Sequence, residues 1–427
     1  MTVRSDSLDA GVLALESRPL GWLRTAPVRS KRALAAAALG WMFDGFDIMV
    51  YSLVLTAVIA EFGLSRTQGG ALGSLTLAAS AGGGWFFGRI ADRHGRRIGI
   101  VTSVLTYSVF TAACGLATAV WQLAIFRLIL GLGMGGAWTT GAALVSESWP
   151  DRHRGKAVGV MQSAWAIGYG GAALVAAIVL PRFGWRPMFL IGALPSLAAL
   201  WVYYAVEEPE IWKSSRGSQG SQGSHGSLAI IFKSPYRQVT MSMVALSFCT
   251  LYAYWAFNFW VPSYLSLPAS QNGVGLSGGT VAALLVAMNA GGWCGYVFYG
   301  YVSDRFGRRR SFVTYLLASS VLVVAYGYTR SAAALLMLGP VVAFFSTGYF
   351  SGFGAIIAEL YPTRVRATAT GFTFNIGRVG SALAPLLIAS LAQRRGFGVA
   401  FGTASVALLL GALTWMYIPE TKGQALT

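Results

Sequence analysis

Twelve apolar runs follow one another along this chain, and they limit what it can fold into. A helix that spans a bilayer needs roughly 20 predominantly apolar residues. The runs fall at approximately 33–60, 68–91, 98–117, 119–146, 156–180, 186–206, 239–265, 279–302, 311–328, 331–358, 367–392 and 398–418. They predict an all-α polytopic membrane protein with twelve transmembrane helices.

The composition argues against a soluble enzyme. Of the 427 residues, 55% are hydrophobic and 11% are charged, whereas a soluble domain is nearer a quarter charged. The cysteines Cys114, Cys249 and Cys294 lie in apolar runs and lack CxxC or metal-ligand spacing. No nucleophile–base pair or nucleotide-binding loop stands out in the sequence. We therefore expect no enzyme, no metal and no cofactor.

The net charge of +17 lies in short loops between the apolar runs, which is typical of a membrane protein rather than of a nucleic-acid-binding one. With runs that alternate in direction, 24 of the 32 lysines and arginines share one side with both termini, and six lie on the other. The positive-inside rule then predicts cytoplasmic termini in the inner or plasma membrane. Lipid is the expected surrounding, and no nucleic acid is expected as a partner.

The chain divides into two similar halves. Residues 214–227, rich in Gly, Ser and Gln, are typical of a flexible linker. The segment GRIADRHGRR at 88–97 repeats as GYVSDRFGRR at 300–309, an offset of 212 that holds at two further places. This duplication predicts two pseudo-symmetric six-helix bundles. The predicted parts are a cytoplasmic arm 1–32, a bundle 33–207, a cytoplasmic linker 208–238, a bundle 239–418 and a cytoplasmic tail 419–427.

Several motifs resemble those of the major facilitator superfamily. The loop G-x-x-x-D-R-x-G-R-R follows the second run and again the eighth. Further matches are Arg127, Gly131 and Gly133 in the fourth run, and Glu147, Pro150, Arg154 and Gly155 at its end. The resemblance covers almost the whole chain and implies a transporter that works by alternating access.

Within that superfamily, the first run is similar to one group of proton-coupled symporters. It contains Asp44-Gly45-Phe46-Asp47, which resembles the D-G-x-D pattern of carriers for aromatic acids, sialic acid and lactate-type metabolites. The resemblance implies uptake of a small organic anion together with protons by a chain that works as a monomer.

The repeated loops allow two interpretations. The resemblance implies a cytoplasmic gate that opens during transport, whereas the alternative is that the loop arginines only fix topology against anionic lipid headgroups. In the gate reading, Asp92 faces a helix N-terminus, and arginines pair with acids such as Glu147. The gate candidates are Gly88, Asp92, Arg93, Arg96, Arg97, Glu147, Arg154, Asp304, Arg308, Glu359 and Arg366.

Four charges lie deep in apolar runs, at Asp44, Asp47, Arg127 and Arg378. The residue 212 positions away from each of them in the other half is uncharged. This is expected where two similar bundles bind an asymmetric substrate. A charge at the bilayer centre costs at least ~2.5 kcal/mol. Asp44 and Asp47 share a helix face, which Tyr51 continues. We expect that face to line a water-filled cavity.

These charges suggest a division of labour. Arg378 offers a planar, permanently charged fork to a carboxylate, and Asn375 adds a hydrogen bond from the same face. Asp44 or Asp47 takes up the proton, and Arg127 tunes that acid or pairs with it. The alternative is that all four charges form fixed ion pairs, although buried pairs stabilise weakly.

Other candidate cavity residues are polar or aromatic side chains that share a helix face within a run. For each of them alone, packing or lipid contact is the commoner role. They are Gln162, Trp165 and Tyr169 in the fifth run, Tyr252, Trp255 and Phe259 on one face of the seventh with Tyr254 and Asn258 on another, and Asn289 with Trp293 in the eighth.

Other transport functions stay open on the same fold. Proton-driven efflux of drugs or metabolites is the first alternative, although efflux antiporters usually carry a G-P-x-x-G-G pattern in the fifth span and this chain has no proline there. Uptake of sugars or organic cations is the second, and Arg378 argues against a cation. A non-transporting receptor would be expected to carry a large soluble extension.

Overall fold

A computed structural model describes residues 21–210, 228–361 and 363–422. Twelve spans make up the described chain, and we call them the first to the twelfth span. In order they are Val28–Phe62, Arg66–His94, Arg96–Gly115, Val120–Ser148, Asp151–Phe183, Arg186–Ile191 with Pro195–Ala205, Tyr236–Asn258 with Val261–Ser266, Gly278–Phe306, Arg308–Tyr328, Ala332–Gly348 with Phe350–Leu360, Thr363–Arg395 and Phe397–Thr414. Short helices at Gly21–Thr25, Leu228–Ile231 and Ala269–Gln271 lie outside the spans.

Eleven of the spans are long and apolar enough to cross a membrane by length and composition alone. The second span, Arg66–His94, has 29 residues, but its glycines, serines and threonines lower its mean hydropathy. It packs against the fourth and the eleventh spans, so protein covers much of it. The protein is thus an all-α polytopic membrane protein with twelve transmembrane helices, as the sequence predicts.

The two halves repeat the same close helix crossing. A Cβ added to Gly83 in the second span would lie 1.9 Å from the Leu132 carbonyl oxygen in the fourth. A Cβ added to Gly295 in the eighth span would lie 2.2 Å from the Phe344 carbonyl oxygen in the tenth. Gly83 and Gly295 are 212 residues apart, and so are Leu132 and Phe344. Small residues at such crossings let helices approach to backbone contact, and here they do so in the same place in each six-helix bundle.

The first span starts near Val28 and the twelfth span ends near Thr414. We call the side of the molecule that carries these two ends the terminal face, and the other side the opposite face. On the opposite half, the two bundles contact each other directly. Ser52 in the first span donates to the Phe259 carbonyl in the seventh, and Arg66 donates to the Gln271 backbone and side-chain oxygens at 3.0 Å. These bonds close the opposite half of the interface between the bundles.

The end of the N-terminal arm is packed onto the terminal face. Trp22, in the helix Gly21–Thr25, lies edge-on to Trp149 with 5.0 Å between ring centroids. Trp149 in turn donates from its indole nitrogen to the Ser30 carbonyl at 3.0 Å. Residues 1–20 of the arm, 211–227 of the linker and 423–427 of the tail lie outside the described residues.

Candidate functional site

A partly open cavity of about 90 Å³ lies between the two bundles. We call it the central cavity. The first, second, fourth and fifth spans line it from one side, and the seventh, eighth, tenth and eleventh from the other. Much of its wall is aromatic, with Trp41, Trp138, Trp165, Tyr254, Trp255, Phe350 and Phe374.

Two charged side chains are among the described residues that line the central cavity. Asp44 in the first span is 4% exposed, and Arg378 in the eleventh is 9% exposed. The two charges attract each other across the interface between the bundles, yet they form no ion pair, and Asp44 Oδ1 has no hydrogen-bond partner among the described residues. An acid and a guanidinium therefore face one another across a partly open space.

Arg378 is held by a single described hydrogen bond. Its Nη1 donates to the Ser80 carbonyl oxygen in the second span at 3.0 Å. Ser80 also lines the central cavity. The other guanidinium nitrogens make no hydrogen bond to described residues, so they can donate to an anion in the cavity.

Aromatic rings cover the terminal side of the central cavity. Trp138 in the fourth span stacks on Phe374 in the eleventh, with 4.7 Å between centroids and an interplanar angle of 17°. The Trp138 indole nitrogen donates to Gln162 at 3.1 Å, and Trp41 lies 4.6 Å from Trp165 by ring centroids. The stack joins the two bundles one helical turn from Arg378 toward the terminal face.

A smaller cavity of about 10 Å³, which is room for about one water molecule, adjoins the central one toward the opposite face, and we call it the side cavity. Trp165, Tyr254 and Tyr296 line both cavities. Tyr169 and Asn289, two of the candidates from sequence, line the side cavity instead of the central one.

Asp47 lies outside both cavities, contrary to the expectation that it shares one with Asp44. It is 2% exposed. Its Oδ2 accepts from Thr111 in the third span at 3.2 Å, and its Oδ1 has no partner among the described residues. A Cβ added to Gly192, at the break of the sixth span, would lie 3.1 Å from Oδ1. Asp47 therefore faces the interior of its own bundle, because a step of three residues turns its side chain away from the cavity.

Arg127 and Tyr51 also lie away from the central cavity. The Arg127 guanidinium carbon lies 3.5 Å from the centroid of the Tyr51 ring, and its Nε donates to the Leu72 carbonyl at 3.2 Å. Tyr51 donates to the Gly69 carbonyl at 2.9 Å. Among described residues, Arg127 forms no ion pair with an acid, so the expected pairing is absent and a cation–π contact takes its place.

Tyr252 is a second aromatic candidate that the structure places elsewhere. Its hydroxyl is 2.8 Å from the Thr403 hydroxyl in the twelfth span, and it does not line the central cavity. Trp255, three residues later, does. Tyr254, on the other candidate face of the seventh span, lines both cavities and accepts a hydrogen bond from the Trp165 indole at 2.6 Å.

Sequence signals existed for some of the missed lining residues. Trp41 precedes Asp44 by three residues and Phe374 precedes Arg378 by four, so each shares a helix face with a charge. Ser80 and Trp138 carry no such signal, because they reach the cavity only through the packing of the second and fourth spans.

The gate candidates form ion pairs within each bundle. Arg96 Nη2 lies 2.8 Å from Glu147 Oε1, and Arg308 Nη2 lies 3.0 Å from Glu359 Oε1. The offset of 212 relates these two pairs. Arg308 also pairs with Asp304. Each pair ties the start of one span to the end of another in the same bundle.

Two acids outside the candidate set complete this arrangement. Glu208 accepts from the backbone nitrogens of Arg96 and Arg97 at 2.8 and 3.0 Å. Glu420 accepts from those of Arg308 and Arg309 at 2.8 and 3.1 Å. Each carboxylate thus caps the N-terminus of a span, where a negative charge is favourable. Glu208 and Glu420 are also 212 residues apart.

The remaining gate candidates behave differently. Arg97 donates to the Tyr203 carbonyl at 3.2 Å rather than to Glu147. Gly88 lies inside the second span rather than in the turn, and a Cβ added there would meet nothing within 4 Å. The turn glycine is Gly95, with φ of 112°. Arg93 is exposed at the end of the second span. The side chains of Asp92, Arg154, Arg366 and Asn375 lie outside the described part of the structure.

Comparisons with known proteins agree with this architecture. A gentisate transporter of Corynebacterium glutamicum is 31% identical over 92% of this chain and 89% of its own length. The cis,cis-muconate transport protein of Acinetobacter baylyi is 30% identical over 92% of this chain and 95% of its own. The structure of the xylose transporter XylE from E. coli superposes with a TM-score of 0.75 at 18% identity, over 94% of this chain and all of that one.

The family model of the Major Facilitator Superfamily matches residues 37–296 and 265–427, which together include nearly all of the described chain. Its members and the relatives named above are transporters. The chain therefore belongs to the Major Facilitator Superfamily and is a membrane transporter rather than an enzyme.

Proposed function

We propose that this protein takes up a small organic anion, a mono- or aromatic carboxylate, together with protons. One observation carries the proposal: Arg378 reaches an aromatic-lined cavity with guanidinium donors that no described residue uses. A guanidinium binds a carboxylate through two parallel hydrogen bonds, and the surrounding rings suit a partly apolar anion. The name of the gentisate relative supports an aromatic carboxylate, and that of the cis,cis-muconate relative supports an organic anion in general.

The protons bind to the acids of the first span. A buried carboxylate that has no cation beside it carries a large free-energy cost, and taking up a proton removes that cost. Asp47 fits this role, since it is buried, unpaired with a described cation and one turn from Asp44. Asp44, which faces Arg378, senses whether the anion is bound. An anion and a proton that cross together move no net charge.

Transport then follows from alternating access around the central cavity. The two bundles rock against each other. The contacts on the opposite half break when the cavity opens to that side, and the Trp138–Phe374 stack breaks when it opens to the terminal side. The ion pairs Arg96–Glu147 and Arg308–Glu359 keep each bundle rigid during this motion. We propose that the terminal face is cytoplasmic and that a single chain is the transporting unit.

Uptake into proteoliposomes tests this proposal. A panel of carboxylates is offered under an inward proton gradient to the wild type, Arg378→Ala, Asp47→Asn and the control Arg182→Ala, an exposed arginine outside the cavity. We expect carboxylate uptake that a protonophore abolishes. Arg378→Ala removes binding, Asp47→Asn loses accumulation but keeps exchange, and Arg182→Ala behaves as wild type. Uptake that does not depend on the proton gradient, or full activity in both Arg378→Ala and Asp47→Asn, contradicts the proposal.

A further inference from the structure

The side cavity extends the central cavity in one direction. Tyr169 and Asn258 each lie four residues beyond a residue that lines both cavities, Trp165 and Tyr254 respectively. Four residues of helix rise about 6 Å, which is close to the length of a six-membered ring with a substituent opposite its carboxylate. The side cavity therefore continues the central cavity, which Arg378 lines, by about that length toward the opposite face.

Two amides determine the chemistry of the side cavity. Asn258 donates from Nδ2 to the Tyr254 carbonyl at 3.1 Å, and Asn289 donates from Nδ2 to the Leu285 carbonyl at 2.8 Å. A backbone carbonyl only accepts, so each amide must turn its nitrogen toward that carbonyl and its oxygen away. Asn258 is 6% exposed, and neither Oδ1 accepts a hydrogen bond from a described residue. The side cavity is therefore lined by two amide oxygens that accept no hydrogen bond from a described residue.

No charged side chain balances these oxygens. The described residues that line the side cavity include no lysine, arginine or histidine. A second carboxylate placed there would meet amide oxygens without a counter-ion, and desolvating it would be costly. A hydroxyl or N–H group would instead satisfy the acceptors. An unsubstituted ring would leave them unpaired in a dry site.

We propose that the side cavity is a specificity subsite that takes a hydrogen-bond donor, a hydroxyl or N–H group, at the end of the substrate away from its carboxylate. This inference rests on the proposed function, because Arg378 must hold the carboxylate. Asn258 and Asn289 are the specificity-determining residues. The substrate class is then a hydroxyl- or amino-bearing ring monocarboxylate, and both a dicarboxylate and an unsubstituted ring carboxylate are disfavoured.

Equilibrium binding to the purified full-length protein tests this inference, with tryptophan fluorescence as the readout because four tryptophans line the central cavity. The probes are benzoate, 3-hydroxybenzoate, 4-hydroxybenzoate and terephthalate. We expect the wild type to bind the better hydroxybenzoate at least about tenfold more tightly than benzoate or terephthalate, since a site built to bond a hydroxyl rejects analogues that lack it.

Asn258→Leu and Asn289→Leu remove one acceptor each and keep the branched shape and the number of heavy atoms. In each variant we expect the preference for the hydroxybenzoate to shrink to within about threefold, while benzoate still binds at least as tightly as to the wild type. Retained benzoate binding shows that each variant is folded. Equal wild-type affinity for all four probes, tighter binding of benzoate or terephthalate, or a preference that survives in both variants overturns the inference.

The same assay separates the two proposals. Benzoate binding that Arg378→Ala abolishes keeps the proposed function in place, whichever way the hydroxyl comparison falls. Failure of all four probes to bind the wild type overturns both.

Discussion

Arg378 in the second bundle donates a hydrogen bond from Nη1 to the Ser80 carbonyl oxygen in the first, at 3.0 Å. The bond crosses the interface that must rearrange when the bundles move relative to each other. It also holds one nitrogen of the guanidinium. The other guanidinium nitrogens make no hydrogen bond to a described residue, and Arg378 lines the central cavity. Anchoring of the substrate and contact between the bundles thus depend on one side chain.

Arg378→Lys separates charge from geometry at this position. Lysine keeps the positive charge, but a single ammonium cannot both bond the Ser80 carbonyl and present a planar pair of donors. We expect carboxylate affinity to fall about 10–100-fold, equivalent to one charged hydrogen bond of about 1.5–3 kcal/mol. Equilibrium binding measures this, with the exposed Arg182→Lys as the matched control. Unchanged affinity in Arg378→Lys would show that charge alone is sufficient.

Asp44 and Asp47 are expected to differ in function because they face different surroundings. Asp44 faces Arg378 in the central cavity, so Asn at this position removes a competitor for the guanidinium, and carboxylate affinity should hold or rise. Asp47 touches Thr111 instead. Asp47→Asn should keep affinity within about threefold, less than ~0.7 kcal/mol, yet abolish gradient-driven accumulation.

Binding and uptake measured side by side on both variants distinguish these roles. Thr111→Val, which removes the described hydrogen bond to Asp47 without touching the central cavity, is a milder companion variant. The opposite pattern, with affinity lost in Asp44→Asn and accumulation kept in Asp47→Asn, would refute this assignment.

The Trp138–Phe374 stack holds the bundles together on the terminal side. An aromatic pair contributes about 0.5–1.5 kcal/mol beyond its buried area. Phe374→Ala should therefore shift the equilibrium toward a state open on the terminal side by up to about tenfold. Spin-label distances between the terminal ends of the fourth and eleventh spans report this shift. Trp121→Ala, at an exposed tryptophan of the fourth span, should leave the distances unchanged.

Glu420 should make stability depend on pH. Burial raises the pKa of Glu420, but backbone N–H donors of Lys422, Arg308, Arg309 and Thr421 outweigh it and hold the pKa below the ordinary 4.5. A carboxyl whose pKa is lower in the folded state stabilises the fold above its unfolded pKa, and this stabilisation is lost as pH falls through the folded pKa.

Glu420→Gln should consequently lower the melting temperature by a few degrees at pH 7, and the difference from wild type should narrow below pH 4.5. Melting curves of the detergent-solubilised protein at several pH values measure this. Glu207→Gln, at an exposed acid on the same face, should change little. A difference between Glu420→Gln and wild type that is as large at pH 4 as at pH 7 would exclude the capping role.

The duplication was the most informative signal in the sequence. It predicted two bundles, and the ion pairs Arg96–Glu147 and Arg308–Glu359 repeat at its offset. The same offset relates Glu208 to Glu420, so these two caps were within reach of sequence reasoning. A contact found in one half predicts the contact 212 residues away in the other half, because both halves pack the same helices in the same way.

The central cavity was less predictable. Asp44 and Arg378 were identifiable as charges inside apolar runs, and both line it. Asp47 and Tyr51 looked equivalent to Asp44 on helical spacing, and Arg127 was likewise a charge inside an apolar run, yet all three make hydrogen bonds inside the first bundle. A helical face is about 100° wide, so the packing of adjacent spans decides which part of that face meets the cavity.

The sequence by itself determined the membrane class, the number of spans, the duplication and the presence of buried charges, because hydropathy and charge act residue by residue along the chain. Only the tertiary structure decided which of those charges share the central cavity, that aromatic rings cover it on the terminal side, and that two amide oxygens line the side cavity. Those features arise where helices from opposite halves cross, and the energies that set such crossings come from contacts between residues far apart in the chain.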